Sequence, residues 1–225
     1  PMSGARVTSE SIDHRLIHTP LVAPTLRKQC EGFMIGSALF ALGSAPGLGS
    51  LMGASIANLM FFVGAWFFTA AGLVQLFLSG PVSMLEPRTG RPHVRAEWLS
   101  SATQTFGTLL FNVSTAAALQ ARTAQEQDRW VWTPDAAGSV AFLVSGILAV
   151  VAYSTTASLG DAKRRAWWST MVNLLGCIAF GVSAVGAFVV PDGAALSASA
   201  ANGGTFVGAV CFFVASAVML PRGRR

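Results

Sequence analysis

The chain has 225 residues, of which 52% are hydrophobic and only 11% are Asp, Glu, Lys or Arg, with a formal net charge of +5. Soluble domains carry about 25% charged residues, so this composition lacks the polar surface that a water-soluble globule needs. The basic excess does not require a nucleic-acid partner, because its cations cluster beside apolar runs, where they meet anionic lipid headgroups.

The first 28 residues are polar and hold no apolar core of the length that a cleavable signal needs. Pro1 reads as a start from which a methionine was removed. His14 and His18 stand four apart beside Asp13 and are weak metal candidates, since zinc takes three or four ligands. His93 is remote in sequence, so the plainer reading of 1–28 is a cytoplasmic surface segment, and no metal site is expected.

Six apolar segments follow, and they predict helices over about 29–45, 56–79, 98–120, 137–158, 166–190 and 204–220. A hydrocarbon core takes about 20 helical residues to cross. Only helices or closed barrels satisfy the backbone there, and no period-two alternation points to a barrel. Pro46 breaks the end of the first segment. Trp98, Trp167 and Trp168 mark helix starts on one side, and Trp130 and Trp132 precede the fourth helix on the other, at the depth where indoles favour a membrane interface. Pro134-Asp135 reads as the lead-in and cap of that fourth helix. The Ala-Ser-Gly run 193–204 reads as a flexible hairpin loop, and 222–225 as a basic tail.

The cations separate by side. Thirteen of the fifteen Lys and Arg residues fall on one side of a six-helix arrangement, and only Arg122 and Arg129 on the other. The positive-inside rule therefore puts both termini in the cytoplasm of a plasma-membrane protein.

The odd-numbered helices share a pattern. Gly36 precedes Phe40, Gly107 precedes Phe111 and Gly176 precedes Phe180, each by four residues. In the second helices of hairpins one and three, Phe62-Val63-Gly64-Ala65 recurs as Phe206-Val207-Gly208-Ala209, with eight of fifteen positions identical over 62–76 and 206–220. In the middle hairpin Phe142-Leu143-Val144-Ser145-Gly146 is expected in that place. The expected fold is thus all-α, one membrane domain over 29–221, built as three parallel helical-hairpin repeats at about 29–79, 98–158 and 166–220. Such a parallel arrangement lacks the inverted repeats of many carriers. Gly32, Gly36, Gly107, Gly176, Gly204 and Gly208 are expected to let helices approach closely, within the chain or against another subunit.

The runs Gln104–Thr115, Asn173–Gly181 and Gly204–Ala209 resemble the signature of actinobacterial YrhK-domain membrane proteins, over most of 30–221. The resemblance implies a small multi-pass bacterial membrane protein and carries over no catalytic residue.

Chemistry has few places to hide. Ser101, Gln104, Thr108, Asn112 and Thr115 are spaced by 3, 4, 4 and 3, so they share one face of the third helix. That face is expected to hold interhelical hydrogen bonds or to line a ligand path. Asn58, Asn173 and Asn202 sit near helix ends as capping or cross-helix groups, and Gln75 near an interface. Cys30, Cys177 and Cys211 read as small buried apolar groups. No ionisable residue lies near the centre of a segment, which argues against a proton relay. No G-x-S-x-G elbow is present, and Gly47–Gly53 lacks the lysine of a phosphate loop. The expectation is a non-enzymatic accessory or scaffold protein that contacts the bilayer and other subunits or itself, with no cofactor beyond bound lipid. The alternative is a transport or binding protein for a small neutral or lipidic molecule along the third helix.

Overall fold

The computed structural model describes residues 23–86 and 90–221. Among them, six long helices dominate: α1 (Leu26–Ser44), α2 (Ala54–Leu78), α3 (Ala96–Ala118), α4 (Thr133–Thr156), α5 (Arg165–Gly186) and α6 (Ala198–Met219). They close into a ring in chain order. Each packs on its hairpin partner and on the next hairpin, and α6 returns to α1. Leu26 and Met219 border the same cavity, so α1 begins where α6 ends. Arg165, at the start of α5, donates to the carbonyls of Val218 and Leu220 at that same end.

Local chemistry sets the boundaries. Thr25 caps α1 by accepting from Lys28 N. After α1 a single helical turn, Leu48–Met52, leads to Gly53, whose φ of +81° turns the chain into α2. Between α2 and α3 a small antiparallel pair forms, β1 (Ser83–Leu85) and β2 (Pro92–Val94), with Met84 opposite His93. Arg95 ties this connection down by donating to Ser79 O at 2.7 Å.

Three expectations need correction. Helix formation before α4 starts at Ala124, under a capping box in which Thr123 and Glu126 hold each other's backbone, and it continues through a π turn at Gln127–Trp132. Pro134 has no N–H for the carbonyl of Trp130, and the turn ahead of it widens. Asp135 is therefore inside a continuous helix and caps nothing. Secondly, α5 ends at Gly186, not 190. The chain then folds back through a Val189–Ala195 bridge, turned by Gly193 at φ +85°. Pro191 disfavours helix at the residue before it. Thirdly, α6 starts at Ala198 under the Ser197 cap, so much of the anticipated loop is helical.

Glycine and phenylalanine interlock in every hairpin. A Cβ on Gly36 would lie 2.9 Å from Gly64 O and 3.1 Å from the Phe68 ring, and a Cβ on Gly64 would lie 2.8 Å from the Phe40 ring. Gly107 faces Phe142 while Gly138 faces Phe111, and Gly176 faces Phe212 while Gly208 faces Phe180. Gly138, not Gly146, thus holds the place of Gly64 and Gly208 in the middle hairpin. Gly146 lies instead against Cys177 of α5. The rings meet on the axis. Phe40, Phe111 and Phe180 form one triangle with centroids 5.7–6.4 Å apart. Phe212 joins Phe68 and Phe142 in the next layer, at 6.3 and 5.5 Å.

Four helical stretches are long and apolar enough to cross a membrane: Ala54–Leu78, Ala124–Thr156, Arg165–Gly186 and Ala198–Met219. By that measure α1 and α3 fall short. Their outward faces are nevertheless apolar, with Ile35 and Leu42 on α1 and Phe106, Leu109 and Val113 on α3. Ser101, Gln104, Thr105, Thr108 and Thr115 of α3 are buried, so the residues that lower its mean hydropathy are turned inward.

Candidate functional site

Two cavities open on either side of the phenylalanine layers. The first, about 220 Å³, lies at the end where α1 starts, and Phe33, Gln75, Ser100, Gln104, Asn173 and Met219 are among its walls. The second, about 240 Å³, lies at the far end, and Asn58, Phe61, Trp132, Asp135, Asn202 and Thr205 are among its walls.

The helical repeat explains which residues meet. Seven residues make about two turns, so positions seven apart share a face. Seven before Phe40, Phe111 and Phe180 stand Phe33, Gln104 and Asn173, and all three line the first cavity. Seven before Phe68, Phe142 and Phe212 stand Phe61, Asp135 and Thr205, and all three line the second. Ten before the same three phenylalanines stand Asn58, Trp132 and Asn202, again all on the second cavity.

In the first cavity Gln75 Nε2 donates to Gln104 Oε1 at 3.3 Å, and Ser145 Oγ, whose proton goes to the nearer Ser100 O, lies 3.4 Å from the same oxygen. This leaves Gln104 Nε2 and Gln75 Oε1 without a hydrogen bond among the described residues. Asn173 reaches only the Cys177 sulfur, at 3.8 Å, so its Oδ1 is open as well. The walls therefore offer donors and acceptors and no charge.

The polar face of α3 separates into different roles. Ser101 donates to Glu97 O, Thr108 to Thr105 O and Thr115 to Phe111 O, all within the helix. Asn112 Nδ2 donates to Thr69 Oγ1 of α2 at 2.7 Å, and its buried Oδ1 has no partner among the described residues. Of the five, Gln104 lines the first cavity, and Ser101 lines a more open pocket beside it with Gln75, Glu97 and Ser100. The six glycines named from sequence all meet the chain itself. Besides the hairpin contacts, Gly32 faces Ala71 and Gly204 faces the backbone of Ala179 and Ser183. His14 and His18 lie outside the described residues. Among those described, no three His, Cys, Asp or Glu side chains gather as a metal site. Cys30, Cys177 and Cys211 are buried and unpaired with one another.

In the second cavity most hydroxyl and indole donors point elsewhere. Ser114 donates to Val131 O at 2.8 Å, Trp132 Nε1 to Ala184 O at 2.8 Å and Thr205 to Ala201 O at 3.0 Å. Ser183 shares its contacts between Ala201 O and Thr205, both at 2.7 Å. Asn58 Nδ2 donates to Ala118 O at 3.0 Å, which leaves its Oδ1 free. The half-buried Asp135 makes no hydrogen bond or ion pair with any described residue. Sequence reasoning missed Asp135 by treating it as a cap. Its seven-residue spacing from Phe142 was the available signal.

An all-helical bundle with four apolar, membrane-length helices is a multi-pass membrane protein. No protein-family model, curated protein or solved structure matches the chain.

Proposed function

We propose that the protein is a non-enzymatic plasma-membrane protein that binds a small neutral polar molecule in the cavity of Gln104. The observation that carries this reading is the meeting of Gln75, Gln104 and Asn173 on one cavity with amide groups still open. A ligand with both donors and acceptors, such as a small amide or polyol, satisfies them without a counter-charge. The layered phenylalanines stand between this cavity and the far one. The reading keeps one end of the third-helix face expected from sequence and drops Asn112, which serves helix packing.

The proposal includes six crossings, three parallel hairpin repeats and cytoplasmic termini. The apolar outer faces of α1 and α3 support six. Arg27, Lys28, Arg91, Arg95 and Lys163–Arg165 flank the end where the bundle begins and finishes, against Arg122 and Arg129 at the other, which supports the orientation. The likeness to YrhK-domain proteins belongs to the same proposal, and its three motifs fall on α3, α5 and α6. Bound lipid is the one further group the reading admits. The accessory-subunit reading has less support, because the glycine faces that motivated it meet helices of the same chain.

Native mass spectrometry after mild-detergent purification tests the reading. The expected species is the chain carrying a small-molecule adduct that Gln104→Leu removes. A stoichiometric second protein with no small-molecule adduct would favour the accessory role.

A further inference from the structure

The far cavity has a different chemistry from the one assigned above. Its open groups are acceptors: the Asp135 carboxylate, Asn58 Oδ1 and the lone pairs of hydroxyls whose protons are already engaged. Against these acceptors, the open amide donors among the described residues are those of Gln127, the exposed Asn202 and the second Nδ2 hydrogen of Asn58. Among the described residues, no Lys, Arg or His is in its walls. Arg129, the nearest cation in sequence, lies over the Trp130 ring at 5.3 Å, and Arg95, Arg27 and Arg164 pair with other acids.

Asp135 is not a requirement of the helix register. The positions that correspond to it in the other two hairpins hold Phe61 and Thr205 on the same cavity wall. A half-buried carboxylate with no counter-charge among the described residues is costly, and a neutral side chain fills this place twice in the same chain. What distinguishes Asp135 is the charge it presents to a space of about 240 Å³. That space exceeds the needs of a bare metal ion. Phe40, Phe61, Phe180 and Trp132 supply aromatic wall, which attracts organic cations through the ring quadrupole.

We infer that the far cavity is a second binding site, specific for a small protonated amine held by Asp135, with Asn58 and the hydroxyl oxygens accepting its N–H groups. The ammonium supplies the missing counter-charge and donors, and its alkyl part lies along the rings. The site is separate from the Gln104 cavity and stands whether or not that cavity binds a neutral ligand.

The test uses the full chain in lipid nanodiscs and isothermal titration calorimetry at pH 7 and fixed ionic strength. Butylammonium is the probe, 1-butanol its neutral counterpart and sodium the competing bare cation. The expected result is saturable butylammonium binding, at least tenfold tighter than 1-butanol and not displaced by equimolar sodium. Asp135→Asn should weaken it at least tenfold. Thr205→Lys leaves Asp135 in place and supplies an ammonium inside the cavity, so it should abolish binding even if Asp135→Asn fails to fold. No saturation in the unmodified chain, equal binding of 1-butanol, equal binding by either variant, or displacement by equimolar sodium would each overturn the assignment.

Discussion

Ser100 and Ser145 exchange hydrogen bonds across the α3–α4 interface: each hydroxyl donates to the other residue's backbone carbonyl, both at 2.9 Å. Both side chains are buried. Only small side chains allow two helix backbones to approach closely enough for this exchange, and in a membrane such contacts replace the hydrophobic effect as the source of association. Replacing either serine by alanine keeps the spacing and removes one donor. Each single change should cost about 0.6 kcal/mol, the average for such bonds in a membrane protein. The double change should cost less than the two singles combined, because the hydroxyls also touch each other at 3.3 Å. Unfolding in detergent micelles checks this, and strictly additive losses would show that the pair acts as two independent caps.

Gly107 and Gly181 give a sharper contrast. A Cβ on Gly107 would lie 2.6 Å from the Phe142 ring, which is buried among other phenylalanines and has no room to yield, whereas a Cβ on Gly181 meets nothing within 4 Å. Gly107→Ala should therefore destabilise by about 1–3 kcal/mol through overpacking. Gly181→Ala should change stability by no more than about 0.5 kcal/mol. Equal melting temperatures for the two variants would contradict the interlocked hairpin.

Asn112 and Thr69 predict an asymmetry. Asn112 donates to Thr69 Oγ1 while its own buried Oδ1 has no partner among the described residues. Thr69→Val removes the acceptor and strands the amide N–H, at a cost of about 1–3 kcal/mol. Asn112→Leu removes the donor together with the unsatisfied carbonyl, and the Thr69 hydroxyl it releases can turn to a carbonyl of its own helix, so it should cost less than Thr69→Val. Thermal unfolding of both variants decides the matter. A larger loss from Asn112→Leu would mean that this amide has a role beyond the Thr69 bond.

These contrasts also mark what the sequence makes legible. The four membrane-length helices stand out because burial in lipid needs length and apolarity, and both are local properties. The Gly-x-x-x-Phe pairs of the odd helices are legible because they recur with similar neighbours. The middle hairpin's second helix keeps only Gly138 and Phe142 of that pattern, without the Phe-Val-Gly-Ala string, so an apolar stretch around Gly146 draws attention instead. Asp135 is hidden by a competing signal. Pro-Asp is a common helix start, and the true cap, Thr123, lies twelve residues earlier behind a π turn. The cavities themselves depend on which helix faces meet around the ring, which no single segment states. Helix periodicity nonetheless puts Gln104 on the inward face of α3, and the structure adds its partners Gln75 and Ser145.

Orientation in the membrane can be read with single cysteines. The native Cys30, Cys177 and Cys211 are buried, so background labelling by a membrane-impermeant maleimide is expected to be low. Lys163 lies in the α4–α5 connection, and Arg122 in the α3–α4 connection, at opposite ends of the bundle. Both are exposed at the backbone turns that carry them. In intact cells Arg122→Cys should label readily and Lys163→Cys only after the membrane is permeabilised, because the richer cluster of cations stays inside. The reverse pattern would invert the topology and move the Gln104 cavity to the outer face. Labelling of both sites in intact cells would mean that the two ends share a compartment, and the account of six crossings would fall with it.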